Sequence, residues 1–152
     1  MLVHIGTDHA GFDVKNYIVQ VLQQRGYEVV DHGADAYDSE DDYPAFILPA
    51  AEAVIEQPGS LGIVLGGSGN GEVIAANKVR GVRAALIHSH DTAVLARKHN
   101  NANVASIGAR MHSREQVIDM VLAFLTTDFT GAERHVRRLD MISSYEAENG
   151  RQ

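Results

Sequence analysis

Gly62-Ile-Val-Leu-Gly-Gly-Ser-Gly-Asn-Gly-Glu-Val-Ile-Ala-Ala-Asn-Lys-Val79 is the stretch on which the fold turns. Its opening, Gly62–Leu65, is a short apolar run too brief for a helix. The turn that follows carries four glycines, and Glu72–Val79 then has the composition of a helix. A strand with no polar alternation belongs inside a parallel sheet, where helices cover both faces. Strand, glycine-rich turn and helix in that order therefore predict an α/β protein.

The same alternation extends outward in both directions. Strands are expected at Leu2–Gly6, Glu28–Asp31, Ala84–His88 and Val104–Ile107, and helices at Phe12–Arg25, Pro44–Glu56, Thr92–His99 and Arg114–Thr126. Pro44 suits a first helical turn, where a missing amide hydrogen is no loss, and Pro58-Gly59 reads as a loop. A last helix, from about residue 131 to 148, follows a complete set of strand-helix units. The expectation is a three-layer α/β/α sandwich with a five-stranded parallel sheet, one domain over residues 1–152, and an extra C-terminal helix placed to pack across a partner subunit.

Bulk composition narrows the chemistry. A chain of 152 residues is long enough to bury about 68–70% of its unfolded surface without staples. With no cysteine, disulfides, thiolate nucleophiles and thiolate-ligated metal centres are excluded, and a catalytic base must be a carboxylate or a histidine. Twenty acidic residues against thirteen Lys and Arg give a net charge of −7, which argues against nucleic acid and anionic lipid as partners. An anionic substrate would need a local basic pocket. Met1-Leu-Val-His-Ile-Gly6 carries no basic leader, and no apolar run approaches a membrane span, so a cytoplasmic protein is expected.

Ligands of open α/β sheets sit beyond the carboxyl ends of the strands. After the first strand comes Thr7-Asp8-His9-Ala10-Gly11; taken alone, Asp8 reads as a helix cap and His9 as a bystander. After the third comes Gly66-Gly67-Ser68-Gly69-Asn70-Gly71-Glu72, whose glycines let main-chain amides converge on an anion where the helix begins. The turn lacks the Gly-Lys-Ser/Thr ending of a P-loop, and the spacing of a dinucleotide fingerprint is not met. A carboxylate beside clustered amides suits proton abstraction next to a carbonyl, although the helix dipole also favours an acidic residue at Glu72 for stability alone.

Other segments are open to two readings. His88 and His90 could ligate a metal, but in such a loop capping or solvent exposure is the better account. His99 is a plausible acid or base, and Arg110 a plausible phosphate ligand. Arg134, Arg137 and Arg138 share a helix face, as a phosphate site or as a solvated basic face. The acidic run Asp38-Ser-Glu-Asp-Asp42 reads as a solvated loop.

Taken in order, Gly6-Thr-Asp-His-Ala-Gly11, Asp42-Tyr-Pro44, Gly66-Gly-Ser-Gly-Asn-Gly-Glu72, Ala75-Ala-Asn-Lys78, His99-Asn-Asn101 and Arg134-His-Val-Arg-Arg138 resemble the ribose-5-phosphate isomerase type B family, which includes the galactose-6-phosphate isomerase subunits. The resemblance implies a Rossmann-like sandwich, a dimer or paired dimers with active sites shared between subunits, and neither metal nor cofactor. It implies interconversion of ribose 5-phosphate and ribulose 5-phosphate through an enediolate. One branch of the family carries a catalytic cysteine just before the glycine loop; Gly66 stands there, and Glu72 matches the branch with a glutamate base. By the same match Ser68 and the amides of Gly67, Gly69, Asn70 and Gly71 would hold the enediolate, His99 would open the sugar ring with help from Asp8, and Asn100 would orient the hydroxyls. His9, Arg110, Arg134 and Arg138 would bind the phosphate, with Tyr43 a further contact and Arg137 unassigned. Another phosphosugar, a hexose 6-phosphate or a tetrulose phosphate, would undergo the same proton chemistry. A non-catalytic sensor would need the cradle and arginines but neither Glu72 nor His99.

Overall fold

The computed structural model describes residues 1–150. Five strands, β1 (Leu2–Thr7), β2 (Glu28–Asp31), β3 (Leu61–Gly66), β4 (Ala84–Leu86) and β5 (Val104–Gly108), form one all-parallel sheet in the order β2-β1-β3-β5-β4. The central strand β3 is buried along its whole length, as its unbroken apolar sequence requires. The helices are α1 (Phe12–Gln24), α2 (Pro44–Glu56), α3 (Asn70–Ala76), α4 (His90–Asn100), α5 (Arg114–Thr126) and α6 (Glu133–Asn149), with one 3-10 turn at His9–Gly11.

Both faces of the sheet are covered. Ile5, Ile63, Leu65 and Ile107 face Ile18 and Leu22 of α1, Ala93 and Ala96 of α4, and Met120 and Phe124 of α5. Val64 and Val104 face Ile47, Ala50 and Val54 of α2 and Ala75 and Ala76 of α3. Truncating a fully buried Ile or Leu in such a core costs about 2–5 kcal/mol. The three layers and five strands agree with the sequence expectation.

The starts of α5 and α2 agree with expectation. Ser113 and Gln116 form a capping box at the start of α5, and Pro44 opens α2. The Ser89–Thr92 capping box sets the start of α4 at His90, two residues earlier than expected. β4 ends at Leu86, short of the expected His88, because it is an edge strand with one neighbour. The Ile87 amide still reaches Ser106 O at 3.0 Å, but the His88 amide turns to Thr92 Oγ1.

A topological switch point lies between β1 and β3. From β1 the chain moves outward to β2, then crosses back to β3 on the other side of β1. The loops leaving β1 and β3 thus diverge, opening a crevice between Thr7–His9 and Gly66–Glu72. The helix α6 stands apart from this scheme. Of its seventeen residues only His135 is buried, and Met141, Ile142 and Tyr145 are more than half exposed.

Candidate active site

Glu72 lies in the first turn of α3, 4% exposed, with its carboxylate laid against the α-carbon of Gly66. A Cβ at position 66 would overlap the carboxylate itself, so the glycine is what makes room for the acid. Position 66 and the Glu72 carboxylate compete for one volume, and a chain can place one reactive side chain there. Burial raises the Glu72 pKa above its ordinary value; its own backbone amide opposes the shift, and the nearby Asp8 carboxylate adds to it. A raised pKa suits a group that must accept a proton and give it back.

The glycine loop is fixed from behind by β5. Ser106, fully buried, donates its hydroxyl to Gly69 O at 2.8 Å, and the amides of Ala109 and Arg110 bond Gly66 O and Gly67 O at 2.8 and 3.2 Å. Gly69 caps α3 at φ +83°, and a side chain there would strike Leu86 and the backbone of Ile107 and Gly108. It must therefore be glycine on both conformational and steric grounds. Ser68 and Asn70 are exposed on the loop, with Ser68 Oγ accepting from the Asn70 amide. The Arg110 side chain lies over Gly67, and the Tyr43 ring lies against Gly71.

Across the crevice Asp8 caps the 3-10 turn by accepting from the Ala10 amide at 3.0 Å. His9 is no bystander. Asp41 Oδ1 accepts from the His9 amide at 3.0 Å and sits 2.6 Å from His9 Nδ1, which holds the imidazole pKa above its ordinary value. The pairing favours the imidazolium form, which suits an anionic ligand. The acidic loop is solvated at Asp38, Glu40 and Asp42 as expected, but Asp41 turns inward.

Asp8, His9 and Asp41 are the one group of metal-capable side chains drawn together among the described residues. Two ligands of one tetrahedral zinc, each about 2.1 Å from the ion, cannot lie as close as the 2.6 Å between His9 and Asp41. The trio as it stands is an ion-paired cluster. His88 and His90 are both exposed, with His90 Nδ1 3.0 Å from Asp119 and Ser89 as the helix cap.

The remaining expected site residues are elsewhere. His99 and Asn100 end α4, which leaves the carboxyl end of β4 and descends eleven residues, about 16 Å, to the amino end of the sheet. There Asn103 leads into β5, level with the first residues of β3 and β4. His99 stacks on His135 of α6, ring centroids 4.4 Å apart and 18° from parallel. Burial lowers the His135 pKa, and His99, Arg134 and Arg138 lower it further. Within one chain, Asp8, His9, Tyr43, Gly67–Glu72 and Arg110 come together, whereas His99, Asn100, Arg134 and Arg138 form a second group at the opposite end of the sheet.

Fold and first group together define a doubly wound α/β enzyme with a buried carboxylate at the switch-point crevice. The ribose/galactose isomerase family model matches residues 3–142. Ribose-5-phosphate isomerase B of Mycobacterium tuberculosis is 54% identical over 146 residues, covering 96% of this chain and 90% of that protein. Ribose-5-phosphate isomerase B of Mycoplasma genitalium, solved with bound ribulose 5-phosphate, superposes with a TM-score of 0.93 at 41% identity, covering 97% of each chain. The type B enzyme of Trypanosoma cruzi gives 0.92 at 40% identity over 98% of this chain and all of that one. The chain belongs to the ribose/galactose isomerase family.

Proposed function

We propose that this protein interconverts ribose 5-phosphate and ribulose 5-phosphate, with Glu72 carrying the proton between C2 and C1. The observation that carries the reading is the buried carboxylate of Glu72, seated in the space a side chain at Gly66 would fill and beside the main chain of the glycine loop. The substrates named for its relatives are aldose and ketose phosphates of this kind.

The aldose arrives as a furanose. His99 gives a proton to the ring oxygen, the C1–O bond breaks, and the anomeric hydroxyl proton passes to Asp8, leaving an aldehyde. Glu72 removes the C2 proton, and the electron pair moves onto the carbonyl oxygen, where Ser68 and the amides of Gly67, Gly69, Asn70 and Gly71 stabilise the enediolate. Losing one such preorganised donor typically costs about 10²–10³ in rate. The C2 hydroxyl proton then passes to O1, and the protonated Glu72 delivers its proton to C1 as the C2–O bond becomes the carbonyl, giving the ketose. No step calls for a metal or cofactor. His9, Arg110, Arg134 and Arg138 hold the phosphate, Asn100 the hydroxyls, and Tyr43 closes the crevice wall.

His99 and Glu72 cannot serve one sugar within one chain, so the reading requires a second copy that brings its His99, Asn100, Arg134 and Arg138 to the first copy's Glu72. The uncovered face of α6, with Met141, Ile142 and Tyr145 exposed, supplies the apolar surface for that homodimer. Among the described residues no helix is long and apolar enough to cross a membrane, and we assign the enzyme to the cytoplasm, with no nucleic acid or membrane partner. Incubating the protein with ribose 5-phosphate, hexose 6-phosphates and unphosphorylated ribose, with and without chelator, tests the reading. Ketose should form from ribose 5-phosphate in both conditions, whereas equal use of free ribose would contradict the phosphate assignment.

A further inference from the structure

The end of α4 is held far more firmly than a surface helix needs. The last four carbonyls of a helix have no partner within it. Here Arg97 O accepts from the Asn101 amide at 3.1 Å, Lys98 O from the amide and hydroxyl of Thr130 at 3.2 and 3.1 Å, and Asn100 O from Arg83 Nε at 3.2 Å. Asn101, the single non-glycine at positive φ (+43°) among the described residues, turns its carbonyl to Arg83 Nε and Nη2 at 3.1 and 2.9 Å and its Oδ1 to Arg97 Nη1 at 3.0 Å. Arg83 is itself anchored. Its amide donates to Asn103 Oδ1 at 2.7 Å, and its carbonyl accepts from the Asn103 amide at 3.0 Å.

We propose that Arg83 is a positioning residue for the ring-opening step, acting through His99. This rests on the assignment of His99 given above. One planar fork ties the start of β4 to the two residues that follow His99, a geometry a single ammonium cannot reproduce. None of its hydrogen bonds reaches the Glu72 half of the site. Loosening the end of α4 displaces His99 and Asn100 and leaves the carboxylate and its loop intact, and a displacement near 1 Å at a reacting group can cost about 10² in rate.

The chemistry separates this role from a merely structural one. Ribose 5-phosphate must be opened by breaking C1–O. Ribulose 5-phosphate has no ring to open, because the hydroxyl that would close one carries the phosphate. Its C1 proton can pass to Glu72, exchange with solvent and return without His99. The experiment measures two rates on Arg83→Met and Arg83→Lys: turnover of ribose 5-phosphate, and incorporation of solvent deuterium at C1 of ribulose 5-phosphate by proton NMR. Arg83→Met should lose about 10–100-fold in turnover while deuterium incorporation at saturation stays within about threefold, with Arg83→Lys in between. Parallel loss of both rates, or loss of neither, overturns the proposal. Should Arg83→Met fail to fold, Arg83→Lys, which keeps stem and charge, makes the same comparison. His99→Asn separates the two ways of failing. If it shows the split and the Arg83 variants do not, this inference alone is wrong; if it shows none, the assignment of His99 is wrong as well.

Discussion

The two ends of the sheet are built differently. At the carboxyl end, Glu72 is buried and its loop is pinned by Ser106 and by two amides of the segment after β5, so the chain's own core holds the geometry. At the amino end, His99 rests against one buried ring of α6, a helix that is otherwise exposed. The first half is finished by folding; the second presents its residues outward and, under the proposed function, is finished by association. Under the proposed function, this contrast lets a chain of 152 residues offer both a proton carrier and a ring-opening acid.

Each half can be broken separately. The largest effect is expected from Glu72→Gln, which keeps shape and loop but removes the proton carrier. Turnover should fall by about 10³-fold or more, with the Michaelis constant within a few fold and the melting temperature little changed. Turnover near that of the parent would eliminate Glu72 as the base. Gly66→Ala attacks the same half sterically. Its methyl overlaps the Glu72 carboxylate, and turnover should drop by about 10²-fold, the scale expected for a displaced reacting group, alongside about 1–3 kcal/mol of overpacking strain. In the outward half, Arg134→Ala should raise the Michaelis constant about tenfold and leave thermal stability unchanged, because the residue is exposed.

The smallest effect is in the pH profile. Glu72, with its pKa raised by burial, loses its carboxylate as pH falls through that raised value, so the acid limb of turnover should lie above the ordinary glutamate range. His9, with its pKa raised by Asp41, is charged below that value and loses its charge as pH rises through it, weakening phosphate binding on the alkaline side. Asp41→Asn should shift the alkaline limb of kcat/KM to lower pH and leave the acid limb in place. A shift of the acid limb instead would show that Asp41 acts through Glu72.

Much of this was legible in the residues, and the gaps have physical causes. The unbroken apolar run of β3, Pro44 at the start of α2 and the Ser113 cap of α5 are local signals, and these survive folding. α3 begins at Asn70, two residues before the expected Glu72, because Gly69 takes a left-handed conformation that caps it. Asp41 was hidden in an acidic run where nothing local distinguishes it from Asp38, Glu40 or Asp42; its partner, His9, is thirty-two positions away. Ser106 sits within an apolar strand, and only the loop it holds reveals its purpose. His135 lies between Arg134 and Arg137, and nothing local announces that its ring stacks on His99. The division of the site was more accessible than it looked. In a parallel alternating fold, residues that follow strands gather at one end and residues that precede them at the other. Gly67–Glu72 follow β3, while His99 and Asn100 precede β5.

The central claim is that one sugar is served by Glu72 of one copy and His99 of another. Co-refolding equal amounts of inactive Glu72→Gln and inactive His99→Asn tests it. Half of randomly formed dimers are mixed, and each mixed dimer has one intact site of two, so activity should recover to about a quarter of the parent level. If the mixture stays as inactive as its components while mixed dimers are present, the two residues do not share a site across copies, and the account of this enzyme is wrong.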